Sequence, residues 1–285
     1  METKPNKWFA GVVGFLLPPL GMLYSRLPWF ALLFLLFQVA IAIVFGTPFV
    51  INLPQRWGLP AALCFNILSA VFAFQFAAAA EPSRKRWYSR WYGLIGVGAG
   101  FFVCIFFVRA FLYEPFRVPS DSMYPTIPEG SLLIVAKRDF GHYSTYGIRF
   151  FETTAQPTLH RCDVVIHRLP DDPNTYYVRT IIGLPGDSIV YTGARMTING
   201  VAVPTTVDRV EGPMQYATEV IDGRSISIAL AGDHRATPYS GVVPPDHYLM
   251  FGNNRNNALD SRFKGPIATN LIGGRVVKVF TPRKK

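Results

Sequence analysis

Apolar runs long enough to cross a bilayer crowd into the first 112 residues of this 285-residue chain. Trp29–Phe45 continues toward Val50, Ala61–Ala80 is nearly free of charge, and Gly93–Leu112 carries only Arg109, near its end. A helix of about 20 apolar residues spans the hydrocarbon core. Residues 1–112 therefore read as a polytopic helical membrane domain. A further run, Trp8–Tyr24, is short and broken by Pro18-Pro19. It reads as a short span or as a re-entrant segment. Residues 113–285 have the composition of a soluble domain with enough chain for its own core.

The net charge of +10 is divided unevenly. Residues 1–112 hold 9 Lys/Arg against 2 acids, and residues 113–285 hold 19 against 16. The excess is mostly juxtamembrane, with Arg283-Lys284-Lys285 adding to it. That pattern fits anionic lipid and membrane topology and argues against a nucleic-acid-binding face. The segment Glu81–Arg90 places four cations between two spans, which predicts a cytoplasmic loop. The last span then runs outward, and residues 113–285 fall outside the cytoplasm. The loop Thr47–Pro60 carries only Arg56, as an outer loop should. A re-entrant first run keeps Lys4, Lys7 and Arg26 on the cytoplasmic side. Trp87, Trp91 and Tyr92 suit an interfacial belt or simple packing. No small-residue cleavage site stands out after the first run, so it reads as anchor rather than leader. Cys64, Cys104 and Cys162 show no metal-ligand spacing and no disulfide framework, and no cofactor is expected.

After residue 113 the periodicity is strand-like. Ser131–Ala136, Asp163–His167, Tyr176–Ile182, Ser188–Tyr191 and Arg275–Phe280 are short, β-branched and bounded by Gly, Pro, Asn and Asp. Arg195–Pro204 reads as a hairpin turning at Asn199-Gly200. Leu169–Thr175 reads as the turn between Asp163–His167 and Tyr176–Ile182, making them antiparallel neighbours. The fold expected is a membrane anchor followed by a mostly β extracytoplasmic domain. Just past the last span lies Pro119-Ser120-Asp121-Ser122-Met123-Tyr124-Pro125-Thr126. Two serines on a proline-stiffened segment suit a nucleophile, but taken alone such a segment after a membrane helix is more often a connector.

Four ordered segments resemble the bacterial type I signal peptidase family. Tyr113–Thr126 is similar to the stretch ending P-S-x-S-M-x-P-T. Ile134-Val135-Ala136-Lys137, with Tyr146-Gly147 downstream, resembles the strand after the nucleophile. Asp163–Asp187 resembles D-V-V-F-x-x-P-x-D-P … Y-[IV]-K-R-x-[IV]-G-L-P-G-D. Gly252–Gly265 resembles G-D-N-R-D-N-S-x-D-S-R-x-x-G. The resemblance implies a Ser/Lys endopeptidase of the bacterial inner membrane with a β fold, whose partners are signal peptides of exported preproteins and the lipid bilayer. It cleaves at small-x-small sites. Ser122 matches the nucleophile. Ser120 matches the hydroxyl that forms the oxyanion hole with the nucleophile's own N–H, and such donors contribute about 3–4 kcal/mol each. Met123 matches a position near the substrate pocket, and Asp260 and Arg262 match a supporting pair.

The chain departs from the family pattern at its general base. The lysine position is Arg179, and the arginine after it is Thr180. Bringing a lysine to neutrality near pH 7 takes roughly 4–5 kcal/mol, and an arginine needs roughly 7–9 kcal/mol. A guanidinium stays charged in practice. Ala258 stands where the family has a serine that hydrogen-bonds the lysine, and Asn253 and Asn256 stand where it has aspartates. His167 occupies the phenylalanine position of the third motif. The expected hairpin sets it across from Arg179 on one face, as a neutral imidazole base for Ser122. His142, His160, His234 and His247 read as loop residues facing solvent, with His160 the next alternative base. Asp163, Asp171, Asp172 and Asp187 read as turn and strand-end residues. Two functions stay open at this point: a signal-peptidase-type endopeptidase with an altered base, or a homologue that binds signal peptides or exported chains without cutting them.

Overall fold

A computed structural model describes residues 2–46, 58–145, 148–154, 157–193, 195–231 and 237–282. The chain divides into two compact units, Met1–Phe106 and Phe107–Lys285.

The first unit is helical: α1 Lys7–Leu16, α2 Pro18–Tyr24, α3 Pro28–Gly46, α4 Gly58–Ala79 and α5 Trp91–Phe107, the last continued by a π-helical turn over Val108–Leu112. Two described helices, Leu59–Ala79 and Trp91–Leu112, are long and apolar enough to cross a membrane. The continuation of α3 toward Val50, and residues 47–57 of the expected outer loop, lie outside the described residues. The run Trp8–Tyr24 is not one helix. It breaks at Leu17, where the prolines open α2 in the first turn, the one place their missing N–H costs nothing. The two halves cross closely: a Cβ on Gly21 would stand 2.4 Å from Gly14 Cα. On its other side α1 lies against α4, where a Cβ on Gly14 would meet Ala73 Cβ at 2.9 Å. Thr3 pairs with Ser83, and Arg26 donates to Thr3 O at 2.8 Å and Ser83 O at 3.0 Å. The start of α1, the end of α2 and the start of the basic loop therefore meet at one end of this unit.

The second unit is built on a seven-stranded antiparallel sheet. Its strands are β1 Tyr113–Arg117, β2 Leu132–Ala136, β3 Val164–Leu169, β4 Asp172–Gly183, β5 His247–Phe251, β6 Ile267–Ala268 and β7 Ile272–Phe280, in the order β6-β5-β4-β3-β7-β2-β1. β3 and the end of β4 are buried on both faces, so burial runs on without alternation and takes in the polar residues His167, Arg168, Arg179 and Thr180. One face packs Val165, Ile181, Met250 and Ile272, and another cluster gathers Met123, Ile127, Leu133, Val135 and Ile166. Two smaller sheets, of four strands and three, enclose a third cluster around Ile189, Tyr191, Ile228 and Phe251.

Both expected hairpins form. Ile198 pairs with Val201 around Asn199 and Gly200, whose φ values of 52° and 80° are those of a type I′ turn. β3 and β4 pair antiparallel, but their turn is tighter than the sequence suggests. Leu169 already faces Asp172, and β4 starts four residues before Tyr176. The strands Thr205–Glu211, Met214–Ile221 and Arg224–Ala231 form a sheet that the periodicity did not announce. All three cysteines are free, and only Cys162 is buried.

Candidate active site

β1 and β2 pair down to Arg117 and Leu132, and the loop between them carries Ser122. Its base is closed by Val118 N donating to Ser131 O at 2.9 Å and Gly130 N to Val118 O at 2.8 Å. Val118, Met123 and Ile127 bury their side chains in the core, which pins the loop from within. Asp121–Met123 makes one 3₁₀ turn with Ser120 as its N-cap residue. Asn254 N donates to Ser122 O at 3.0 Å, tying this turn to the loop after β5. The result is a fixed backbone with Ser120 exposed and Ser122 half-buried.

Arg179 reaches Ser122 from β4. Its Nη1 donates to Ser122 Oγ at 3.0 Å and to Val178 O at 2.6 Å, and its Nη2 donates to Leu259 O at 2.7 Å. Ser120 Oγ lies 3.3 Å from Ser122 Oγ. Arg179 is 4% exposed, and among the described residues it forms no ion pair. Burial pulls its pKa below the ordinary guanidinium value, against the field of Asp260. Asp260 itself serves Arg262: Nε and Nη2 of Arg262 donate to its two oxygens at 2.8 Å each, with both side chains fully buried. Asp260 also accepts from Gly252 N at 2.8 Å.

The family described as Signal peptidase, peptidase S26 matches residues 90–281, a stretch that contains every residue of this cluster. The chain belongs to that family. It is 33% identical over 180 residues to a signal peptidase I of Pseudomonas fluorescens, covering 60% of this chain and 63% of that one. It is 34% identical over 189 residues to signal peptidase I of Pseudomonas aeruginosa, again covering 60% and 63%. The chain thus spans less than two thirds of the length of these relatives. A solved signal peptidase I from Enterococcus faecalis V583 matches at 21% identity and a TM-score of 0.29, covering 42% of this chain and 97% of that one.

Two of the residues expected to depart from the family pattern, Thr180 and Asn253, touch each other. Thr180 Oγ1 donates to Asn253 Oδ1 at 2.8 Å, and Asn253 Nδ2 donates to Thr126 Oγ1 at 2.7 Å. Thr180 and Asn253 thus form a buried, neutral, hydrogen-bonded pair. Ala258 lies beside Gly252, and the guanidinium of Arg179 takes the carbonyl of the next residue, Leu259. Asn256 Oδ1 accepts from Ala231 N at 2.8 Å and holds the loop end to the three-stranded sheet.

Three expectations are corrected. His167 pairs with Tyr177, and Arg179 pairs with Val165, so the two lie two residue pairs apart, diagonal on the same face, rather than opposite each other. His167 is 3% exposed; its Nδ1 donates to Arg168 O at 3.1 Å, and its buried Nε2 has no hydrogen-bond partner among the described residues. No hydrogen bond joins it to Ser122 among the described residues, so the proposed dyad is not assembled. Met123 is 0% exposed and packs in the core beneath the 3₁₀ turn, where it lines no open surface. His142 is buried rather than solvated: its Nε2 bonds Asn270 O and its Nδ1 accepts from Arg168 Nη2 at 3.0 Å. His160 is exposed, and Tyr146, Gly147, His234 and Arg283-Lys284-Lys285 lie outside the described residues. Asp187 holds Arg161, Leu184 N and Asn199, a loop-fixing role. Sequence reasoning missed Leu259, because a backbone carbonyl leaves no residue signature.

Burial, more than the Arg179 charge, lowers the His167 pKa from 6.5 to about 4. The unfolded chain then binds more protons than the folded one between those values. Stability is complete above the unfolded pKa and falls as pH drops through this window, by roughly 3 kcal/mol in all. His167→Phe should flatten that slope. Melting of the full chain in detergent at pH 7 and pH 4 checks it, and an unchanged slope contradicts the assignment.

Proposed function

We propose that this protein is a membrane-bound serine endopeptidase of the signal peptidase I type. It would remove signal peptides from exported preproteins at small-x-small sites, with Ser122 as nucleophile. One observation carries the reading: within the S26-matched region, Ser122 Oγ sits on a rigid, solvent-reachable turn 3.0 Å from the side chain at the family's base position. Ser120 and the Ser122 N–H are the oxyanion donors, and Asp260–Arg262 is the support beneath them.

The protein resides in the bacterial inner membrane, with α3, α4 and α5 crossing and residues 8–24 re-entrant. The meeting of Thr3, Arg26 and Ser83 at one end supports this topology. At about 1.5 Å per residue, neither α1 nor α2 covers the roughly 30 Å of a bilayer core. Lys4, Lys7, Arg26 and the basic loop then share the cytoplasmic face. The β unit works on the outer side.

The test is preprotein cleavage by the full chain in detergent. Wild type should cut at a small-x-small site, and Ser122→Ala should fall to background. Cleavage surviving Ser122→Ala sinks the assignment. A wild type that retains signal peptide and never cuts it replaces this reading with the binding one.

A further inference from the structure

We infer that Arg179 acts on Ser122 as a fixed cation and never as its proton acceptor, and that the Ser122 proton leaves past Ser120 to solvent hydroxide. The inference rests on the endopeptidase reading above and says how such a site runs without the family's base.

Hydrogen-bond direction decides the first half. A guanidinium carries five N–H donors and no acceptor. The 3.0 Å contact therefore has Arg179 donating and Ser122 Oγ accepting. Val178 O and Leu259 O take the other donations and fix the plane of the group. The proton on Ser122 must then point elsewhere. Ser120 Oγ, at 3.3 Å, is the other group in hydrogen-bond contact with Ser122 Oγ among the described residues. Ser120 is exposed, so this route ends in water.

No carboxylate or imidazole among the described residues is in hydrogen-bond contact with Ser122 Oγ. Asp260 is taken up by Arg262 and Gly252 N. Asp121 Oδ1 accepts from Glu129 N. His167 turns its Nδ1 to a backbone carbonyl. The buried charges around the turn are Arg179 and Arg262 against Asp260 alone, a net positive balance. Because these charges are themselves buried, that balance favours an anion on the oxygen that faces Arg179.

The chemistry closes on these groups and water. Hydroxide takes the Ser120 proton as Ser120 takes the Ser122 proton, giving water and the Ser122 alkoxide. Ser120 keeps a hydroxyl hydrogen and can donate it to the new oxyanion. The alkoxide pair forms the C–O bond, and the carbonyl π pair moves to oxygen. That pair then returns as the C–N bond breaks, and the leaving amine takes a proton from water, which regenerates hydroxide. A second hydroxide attack releases the acyl group and Ser122. Arg179 keeps its proton throughout.

The consequence is a pH profile without a protein pKa. For wild type, kcat/KM for preprotein cleavage should rise about tenfold per pH unit from roughly pH 6 to 9.5. Arg179→Gln should keep that slope while falling about 10²–10³-fold at every pH, the usual loss for a transition-state donor. Arg179→Lys should bend to a plateau below the ordinary lysine pKa of about 10.4, because lysine can supply the base that arginine cannot. A wild-type plateau starting below about pH 8 overturns the inference, and its loss in His167→Phe would name the real base. An Arg179→Gln rate equal to wild type also overturns it. Cleavage by Arg179→Lys alone removes the inference but leaves Ser122 a competent nucleophile. Silence of all the variants and wild type at every pH removes the endopeptidase reading itself.

Discussion

Asp260→Ala is expected to lower the unfolding free energy by about 3–5 kcal/mol, the usual cost of stranding one partner of a buried ion pair. The carboxylate accepts two donations from the Arg262 guanidinium at 2.8 Å each, and both side chains are fully buried. It also accepts from Gly252 N at 2.8 Å and, as N-cap of the short helix α6 (Ser261–Lys264), from Arg262 N at 3.1 Å. Alanine therefore leaves a buried cation and two buried N–H groups without acceptors. It also removes the acid whose field most opposes the burial of Arg179. Two guanidiniums would then share one apolar interior with no counter-charge between them. Asp260→Leu combined with Arg262→Met should recover a large part of the loss, because an apolar pair avoids the stranded charge. Melting of the full chain in detergent measures both variants. A single-mutant cost under about 1 kcal/mol would show that Arg262 finds water when its partner goes.

What the sequence disclosed follows from the kind of signal each feature leaves. The Asn199-Gly200 turn was legible because both residues must take positive φ, and few residue pairs do so cheaply. β3 and β4 were legible as strands, but their register was not. A bulge between His167 and Leu169 shifts the pairing, and bulges carry no fixed composition. Beyond the bulge the ladder pairs His167 with Tyr177 and Val165 with Arg179. The strand Thr205–Glu211 was illegible because every residue in it is exposed. It is held by pairing with Met214–Ile221 and not by an apolar face, so no alternation marks it. His142 was misread for another reason: its acceptor, Asn270 O, lies 128 residues away. At the site, motif order brought Ser120, Ser122 and Arg179 to one place. What Arg179 does there depends on the carbonyls of Val178 and Leu259, which any residue would supply.

Gly252→Ala should damage cleavage far more than stability. A Cβ at this position would stand 2.2 Å from Ala258 Cβ and 2.8 Å from Ser122 O. Neither neighbour can rotate away, since one is the only side-chain atom of an alanine and the other is backbone. The added methyl must separate the Ser122 turn from the loop after β5. Those two segments are joined by Asn254 N donating to Ser122 O at 3.0 Å, the bond that fixes the nucleophile's backbone. Overpacking of this kind costs about 1–3 kcal/mol. A displacement near 1 Å at reacting atoms costs about 10²-fold in rate. Ala258→Gly in the same background removes the 2.2 Å contact but not the 2.8 Å one. The double variant should therefore regain much of the melting temperature and little of the preprotein cleavage. If both recover together, the approach of Gly252 to Ala258 is what limits the site. If cleavage stays low while stability returns, the rate depends on where the Ser122 carbonyl sits, and the glycine is there to let two backbones meet behind the nucleophile.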